Sequence, residues 1–213
     1  MSIKLKINKK TTTLTPFLKE IKQILLRTTR RINKIVSIKN LDIVIVFYDS
    51  SDNVFPEMGI GAFVSTINLI KVSIDSKFPR LKDSLQYNLQ RILTHEIYHI
   101  LRWKYLPGKN NLLRALTTEG LADHFGMEVN NTKPQPWDTT LTPKELREIQ
   151  PRAESEYFNI DFDSPAWFYG SPEKNIPKWA GYSLGFHLIS KYLKNHPGEK
   201  ASTLFATSAD KFR

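Results

Sequence analysis

The sequence predicts an α+β fold with a helical C-terminal half. Two observations carry this. Strand-like runs are confined to roughly the first 75 residues, and helical periodicity dominates after them, an order that argues segregated strands and helices. No internal repeat, low-complexity tract or composition boundary divides the chain. Its 213 residues, 40% of them apolar, are therefore read as one domain over 1–213 with enough apolar material for a real core. Within it, an N-terminal helix and strands occupy about 1–80. Helices of about 83–130 and a helical part of about 142–213 follow.

The elements follow in order. Residues 3–7 (IKLKI) alternate as a short strand does. Thr15 before Pro16 reads as a cap with proline in the first helical position. Leu18, Ile21, Leu25, Ile32 and Ile35 then recur at helical spacing to about residue 36. Residues 41–48 (LDIVIVFY) are short, β-branched and aromatic, the most strand-like run of the chain. A polar loop with Asp49, Asp52, Asn53 and Pro56 leads to 60–75, one or two further strands. A long helix spans about 83–105, capped by Asp83 or Ser84, with Leu85, Leu89, Ile92, Leu93, Ile97, Ile100 and Leu101 as its buried side. Pro107-Gly108 ends it. A second helix spans about 112–129, and a proline-rich loop covers 130–142. Thr142 and Glu145 make a capping box for a helix to about 150. Residues 159–178 read as irregular. There Trp167, Phe168 and Tyr169, with Trp137 of the preceding loop, suit either a core or a cleft. An amphipathic helix of about 179–195 completes the pattern.

Composition narrows the function classes. There is no cysteine, so disulfides and thiolate chemistry are excluded, and any metal must be held by His, Asp or Glu. The opening MSIKLKINKK lacks the apolar stretch of a signal peptide. Nowhere do about 18 apolar residues run together, so no membrane span is expected and a cytoplasmic location is. The net charge of +10 invites a nucleic-acid reading. No zinc-finger spacing, RNP-like aromatic motif or arginine-rich arm accompanies it, so no nucleic-acid partner is expected. The densest cationic stripe, Arg27, Arg30, Arg31 and Lys34, is read as a solvated helix face, with acidic substrates or anionic surfaces open.

The strongest chemical signal is His95-Glu96-Ile97-Tyr98-His99, inside the long helix. Positions i and i+4 share a helix face, so both imidazoles can address one ion. Glu96 lies about 100° around from His95, within reach of a water activated by that ion. Polar groups beside Leu93, Ile97 and Ile100 are costly without a purpose. Two histidines leave a zinc site incomplete, because catalytic zinc takes three protein ligands and an open position. Glu119, twenty residues after His99 in Thr118-Glu119-Gly120-Leu121-Ala122-Asp123, is the candidate third ligand. Asp123 lies one turn further on the same face, placed to accept from the far nitrogen of His95 or His99 and so fix its tautomer.

HEIYH, the twenty-residue step and EGLAD resemble the gluzincin metallopeptidases, the thermolysin-like class with two His ligands and one Glu. EGLAD and the later WAGYSLGFHLISKYL resemble more specifically the bacterial predicted zinc-dependent proteases of the domain-of-unknown-function, YjaZ-like type. The resemblance covers about residues 60–195. It implies a zincin-like single domain, a small mixed sheet packed on the active-site helix, with an edge strand ahead of that helix. It implies His95, His99 and Glu119 as ligands to one zinc ion per chain, Glu96 as general base and Asp123 behind the ligands. The expected activity is hydrolysis of peptide or protein substrates by metal-activated water.

Three further roles are expected. Tyr182, in WAGYSLG, is the candidate second electrophile for the oxyanion, ahead of His187. The two stand five residues apart, about 140° around the helix, so they cannot both serve. His124 is expected to be structural, and His196 to sit at an exposed helix end. The strand around Ala62–Ile74 is a candidate edge for an extended peptide, with Gly59 and Gly61 admitting a close backbone. The principal rival is a catalytically inactive zincin-fold protein that binds metal or a regulatory partner. A hydrolase of non-peptide substrates is another. Oligomeric state and cleavage specificity have no signal in the sequence.

Overall fold

A computed structural model of the chain describes residues 2–7 and 12–213. The fold is mixed α and β, with a four-stranded mixed sheet and a helical C-terminal half. The chain divides into two compact units, residues 1–101 and 102–213.

The first unit holds the sheet: β1 (Ser2–Ile7), β2 (Asp42–Asp49), β3 (Ile60–Thr66) and β4 (Leu69–Ile74). Their order is β1-β2-β4-β3. β1 pairs in parallel with β2, Leu5 opposite Ile45, and β2 in parallel with β4, Phe47 opposite Val72. Parallel neighbours need a crossover, and α1 (Leu18–Ile35) supplies the one between β1 and β2. β3 returns antiparallel on β4 from the edge, with a bulge between Val64 and Thr66. The run 60–75 is thus two strands. In β2 the alternation is sharp: Ile43, Ile45 and Phe47 are fully buried, while Val44 and Val46 are half-buried.

Two helix starts differ from expectation. Thr15 does not cap the first helix. Thr12–Phe17 form a 3₁₀ turn containing Pro16, and α1 begins behind it with Phe17 at the cap position and no side-chain cap bond. Leu14 is fully buried, so the turn has its own anchor and the core overrides the local cap. The long helix opens at Leu81, with Arg80 rather than Asp83 or Ser84 at the cap. It comprises α2 (Leu81–Ser84), one π turn at Leu85–Leu89, and α3 (Gln90–Tyr105). The Ser84 hydroxyl donates instead to the Met58 carbonyl and accepts from Asn88 at 3.0 Å.

The second unit is built around α4 (Leu112–Asn130) and α7 (Ala180–Asn195). Asn111 caps α4 by accepting from the Arg114 amide at 2.9 Å. The Thr142–Glu145 box forms as expected, Glu145 accepting from the Thr142 amide at 2.7 Å and Thr142 from the Glu145 amide at 3.3 Å. The helix it opens, α5 (Pro143–Glu156), runs past the expected end and through Pro151. One lost backbone bond there is outweighed by the burial of Ile149 and Ala153 on either side. The stretch 159–178, expected to be irregular, contains α6 (Ser164–Tyr169), with Asp163 accepting from the Ala166 amide. Trp167 and Phe168 join Leu112, Leu116, Leu184 and Leu188 in the core of this unit, whereas Tyr169 is 65% exposed.

α4 and α7 meet backbone to backbone. A Cβ on Gly120 would lie 2.2 Å from the Gly185 carbonyl oxygen, and one on Gly185 would lie 2.1 Å from that of Leu116. Only glycine at both positions permits this approach.

Candidate metal centre

Most of the helix from Leu89 to Arg102 is buried, which makes its polar residues informative. Leu89, Leu93 and Ile97 are fully buried, and Ile92, Ile100 and Leu101 nearly so. Among them Glu96 is 6% exposed, while His95 and His99 are half-buried. One helical turn apart, the two imidazoles meet edge to face, with centroids 4.6 Å apart and planes at 73°. Their shared face is what the helix period requires of i and i+4.

Glu119 stands on α4, half-buried, between Thr118 and Gly120. His95, His99 and Glu119 form a group able to hold a metal ion: each offers one ligand atom, and these atoms lie within 4.8 Å of one another. Two imidazole nitrogens and one carboxylate oxygen are the donor set that open-position zinc takes. With no thiolate in the chain, the set is hard to borderline throughout.

Asp123 is 6% exposed, one turn beyond Glu119. Its carboxylate accepts from the indole N–H of Trp137 at 3.2 Å. That indole is itself placed by α7, where the Ser183 hydroxyl donates to the Trp137 carbonyl at 2.7 Å. Tyr182, also on α7, is half-buried. Its ring lies edge-on to Phe168 at 5.0 Å and tilted to Trp137 at 6.2 Å. His187 is exposed. His124 stacks on Phe186 at 4.3 Å and 8°, with Nε2 3.0 Å from the Ser190 hydroxyl and 3.3 Å from the Phe186 carbonyl. Burial holds its pKa below the ordinary histidine value, with the Phe186 bond and the Asp123 charge opposing the shift. These contacts hold His124 against α7, and His196 is exposed where α7 ends.

Two contributors escaped the sequence reading. Trp137, which the sequence places equally well in a core or a cleft, donates to Asp123. Arg102, three residues after His99, is 2% exposed. Its Nε donates to the Thr118 hydroxyl at 2.9 Å, next to Glu119 in sequence. Its Nη1 reaches the carbonyls of Thr207 at 3.0 Å and of Leu204 and Phe205 at 3.3 Å. A cation directly following Ile100 and Leu101 in an apolar helix pattern was the available signal. The close backbone foreseen at Gly61 is the chain's own: a Cβ there would lie 2.1 Å from the Asn53 carbonyl oxygen.

Comparison with known proteins agrees with this geometry. A family profile described as "Predicted Zn-dependent protease (DUF2268)" matches residues 21–213. Two uncharacterized proteins of Bacillus subtilis (strain 168) are similar. YjaZ is 28% identical over 137 residues, 61% of this chain and 51% of that protein. YjfC is 28% identical over 126 residues, 52% of this chain and 42% of that protein. The chain thus spans about half the length of the curated relatives it matches. No solved structure matches it. Among the described residues, no helix is long and apolar enough to cross a membrane.

Proposed function

Because the chain belongs to this family of predicted Zn-dependent proteases, we propose that it is a zinc peptidase of the gluzincin type, with His95, His99 and Glu119 holding one zinc ion. The observation that carries the reading is the gathering of those three ligand atoms within 4.8 Å, two of them on the helix whose HExxH motif also supplies a buried Glu96. Zinc in such a set acts as a Lewis acid toward a carbonyl oxygen and acidifies water.

The remaining chemistry belongs to the chain. Glu96 takes a proton from the attacking water and later returns it to the leaving amine. Asp123 is proposed to orient a ligand imidazole through its far nitrogen. Tyr182 is proposed to donate to the developing oxyanion, its ring held between Phe168 and Trp137 so that little reorganisation is needed. The substrate class is a peptide or protein.

The test pairs metal content with turnover. Wild type is expected to hold about one zinc per chain, and Glu119→Ala to lose it or bind it much more weakly. Glu96→Gln is expected to keep the zinc and to lose about 10²- to 10⁴-fold in peptidase kcat. A wild type that holds zinc but cleaves no member of a broad peptide library would favour the inactive, metal-binding alternative. A wild type that takes up no zinc when supplied with it would end the proposal.

A further inference from the structure

The net charge of this protein has an address. Residues 1–39 contain eleven of its 31 Lys and Arg but only one of its 21 Asp and Glu, a net of +10. The remaining 174 residues carry 20 of each sign and cancel. A charge spread for solubility alone has no reason to collect in one fifth of the chain.

Much of that charge lies on one helix face. In α1 the inward residues Ile21, Ile24 and Ile32 are fully buried and Leu25 nearly so. The outward residues Lys19, Lys22, Arg27, Arg30, Arg31 and Lys34 are all exposed. They form a stripe about 22 Å long at the helical rise. The one acid of the helix, Glu20, is half-buried in the first turn. Within the stripe sits Leu26, 54% exposed, and Ile35 at the end of α1 is 41% exposed.

We infer that the outer face of α1 docks the protein peripherally on an anionic phospholipid bilayer. Cations held near such a surface each add to binding, and six on a rigid helix do so without being ordered on arrival. The apolar residues select lipid over nucleic acid. Exposed Leu26 gains by entering the headgroup and acyl boundary, whereas among phosphates it gains nothing. α1 also contains no aromatic residue on which a base could stack. The inward face of α1 is already used by the core, so the helix lies on the surface and does not insert. This inference is independent of the peptidase reading.

Vesicle sedimentation of the full chain tests it, with one part phosphatidylserine to two of phosphatidylcholine against phosphatidylcholine alone. Binding is expected to the anionic vesicles only, weakening strongly between about 0.1 M and about 0.5 M salt. The triple variant Arg27→Glu, Arg30→Glu, Arg31→Glu is expected to bind at least about tenfold more weakly, with a wild-type circular dichroism spectrum and melting curve. If reversal unfolds the protein, Arg30→Gln with Arg31→Gln is expected to give a smaller loss in the same direction. Leu26→Ser is expected to weaken vesicle binding severalfold. Equal binding to both vesicle types, or no loss in a folded charge variant, overturns the inference. Tighter binding of a mixed-sequence oligonucleotide than of anionic vesicles at the same salt also overturns it, in favour of nucleic acid.

Discussion

α1 and α4 are helices of nearly equal length, 18 and 19 residues, that solve burial differently. α1 buries one face and exposes a cationic one. α4 is buried on most sides: twelve of its residues are buried, among them Thr117 and Asp123. In α1 the buried hydroxyls of Thr28 and Thr29 donate to carbonyls of their own helix, Ile24 and Leu26. In α4 Thr117 does the same with Leu113. Asp123 is answered differently: a carboxylate only accepts, and a donor to it, the indole of Trp137, comes from a separate segment. A polar residue on a one-sided helix carries little information. One on a helix buried all round must be answered from elsewhere, and the answer marks a built site.

The contrast can be broken most severely where α4 touches α7. Gly185→Val places branched carbons against the Leu116 carbonyl and is expected to cost about 3 kcal/mol or more, read as a fall in the urea midpoint. A wild-type midpoint would show that the two helices can part without loss. Next is Trp137→Phe, which keeps an aromatic ring but removes the donor to Asp123. About 1–3 kcal/mol of stability should go, and a smaller loss in Asp123→Asn/Trp137→Phe than the sum of the two single changes would confirm coupling.

His124 gives a smaller, pH-dependent effect. Its folded pKa lies below its unfolded value, so the unfolded chain binds the proton first as pH falls. Its contribution is complete above the unfolded value near 6.5 and is lost as pH drops from there through the folded value. Thermal melts of wild type and His124→Gln at pH 8 and pH 5 are expected to show a steeper acid loss in wild type. Parallel losses would refute the assignment. The smallest effect belongs to α1: Arg30→Gln with Arg31→Gln should leave stability within about 0.5 kcal/mol of wild type.

Legibility in the sequence followed the same division. The one-sided pattern of α1, the alternation of β2 and the HEIYH spacing could all be read, because each rests on a local period. The start of α1 was misplaced because Leu14 is buried, a tertiary fact. α5 outran its expected end because burial around Pro151 outweighs one missing bond. Arg102 and Trp137 escaped because their partners lie at residues 118 and 204–207, and at residue 123. No period links those positions.

The π turn at Leu85–Leu89 has its own consequence. Leu85, Leu89, Leu93, Ile97 and Leu101 recur every fourth residue, and all are buried. On an unbroken α-helix of 3.6 residues per turn, such a series would drift about 40° at each step and leave the core after a few turns. A single wider turn runs the drift backward once, like a leap day correcting a calendar. The early leucines and the late isoleucine can then face inward together, and the bearing of the two histidines is turned by the same fixed step.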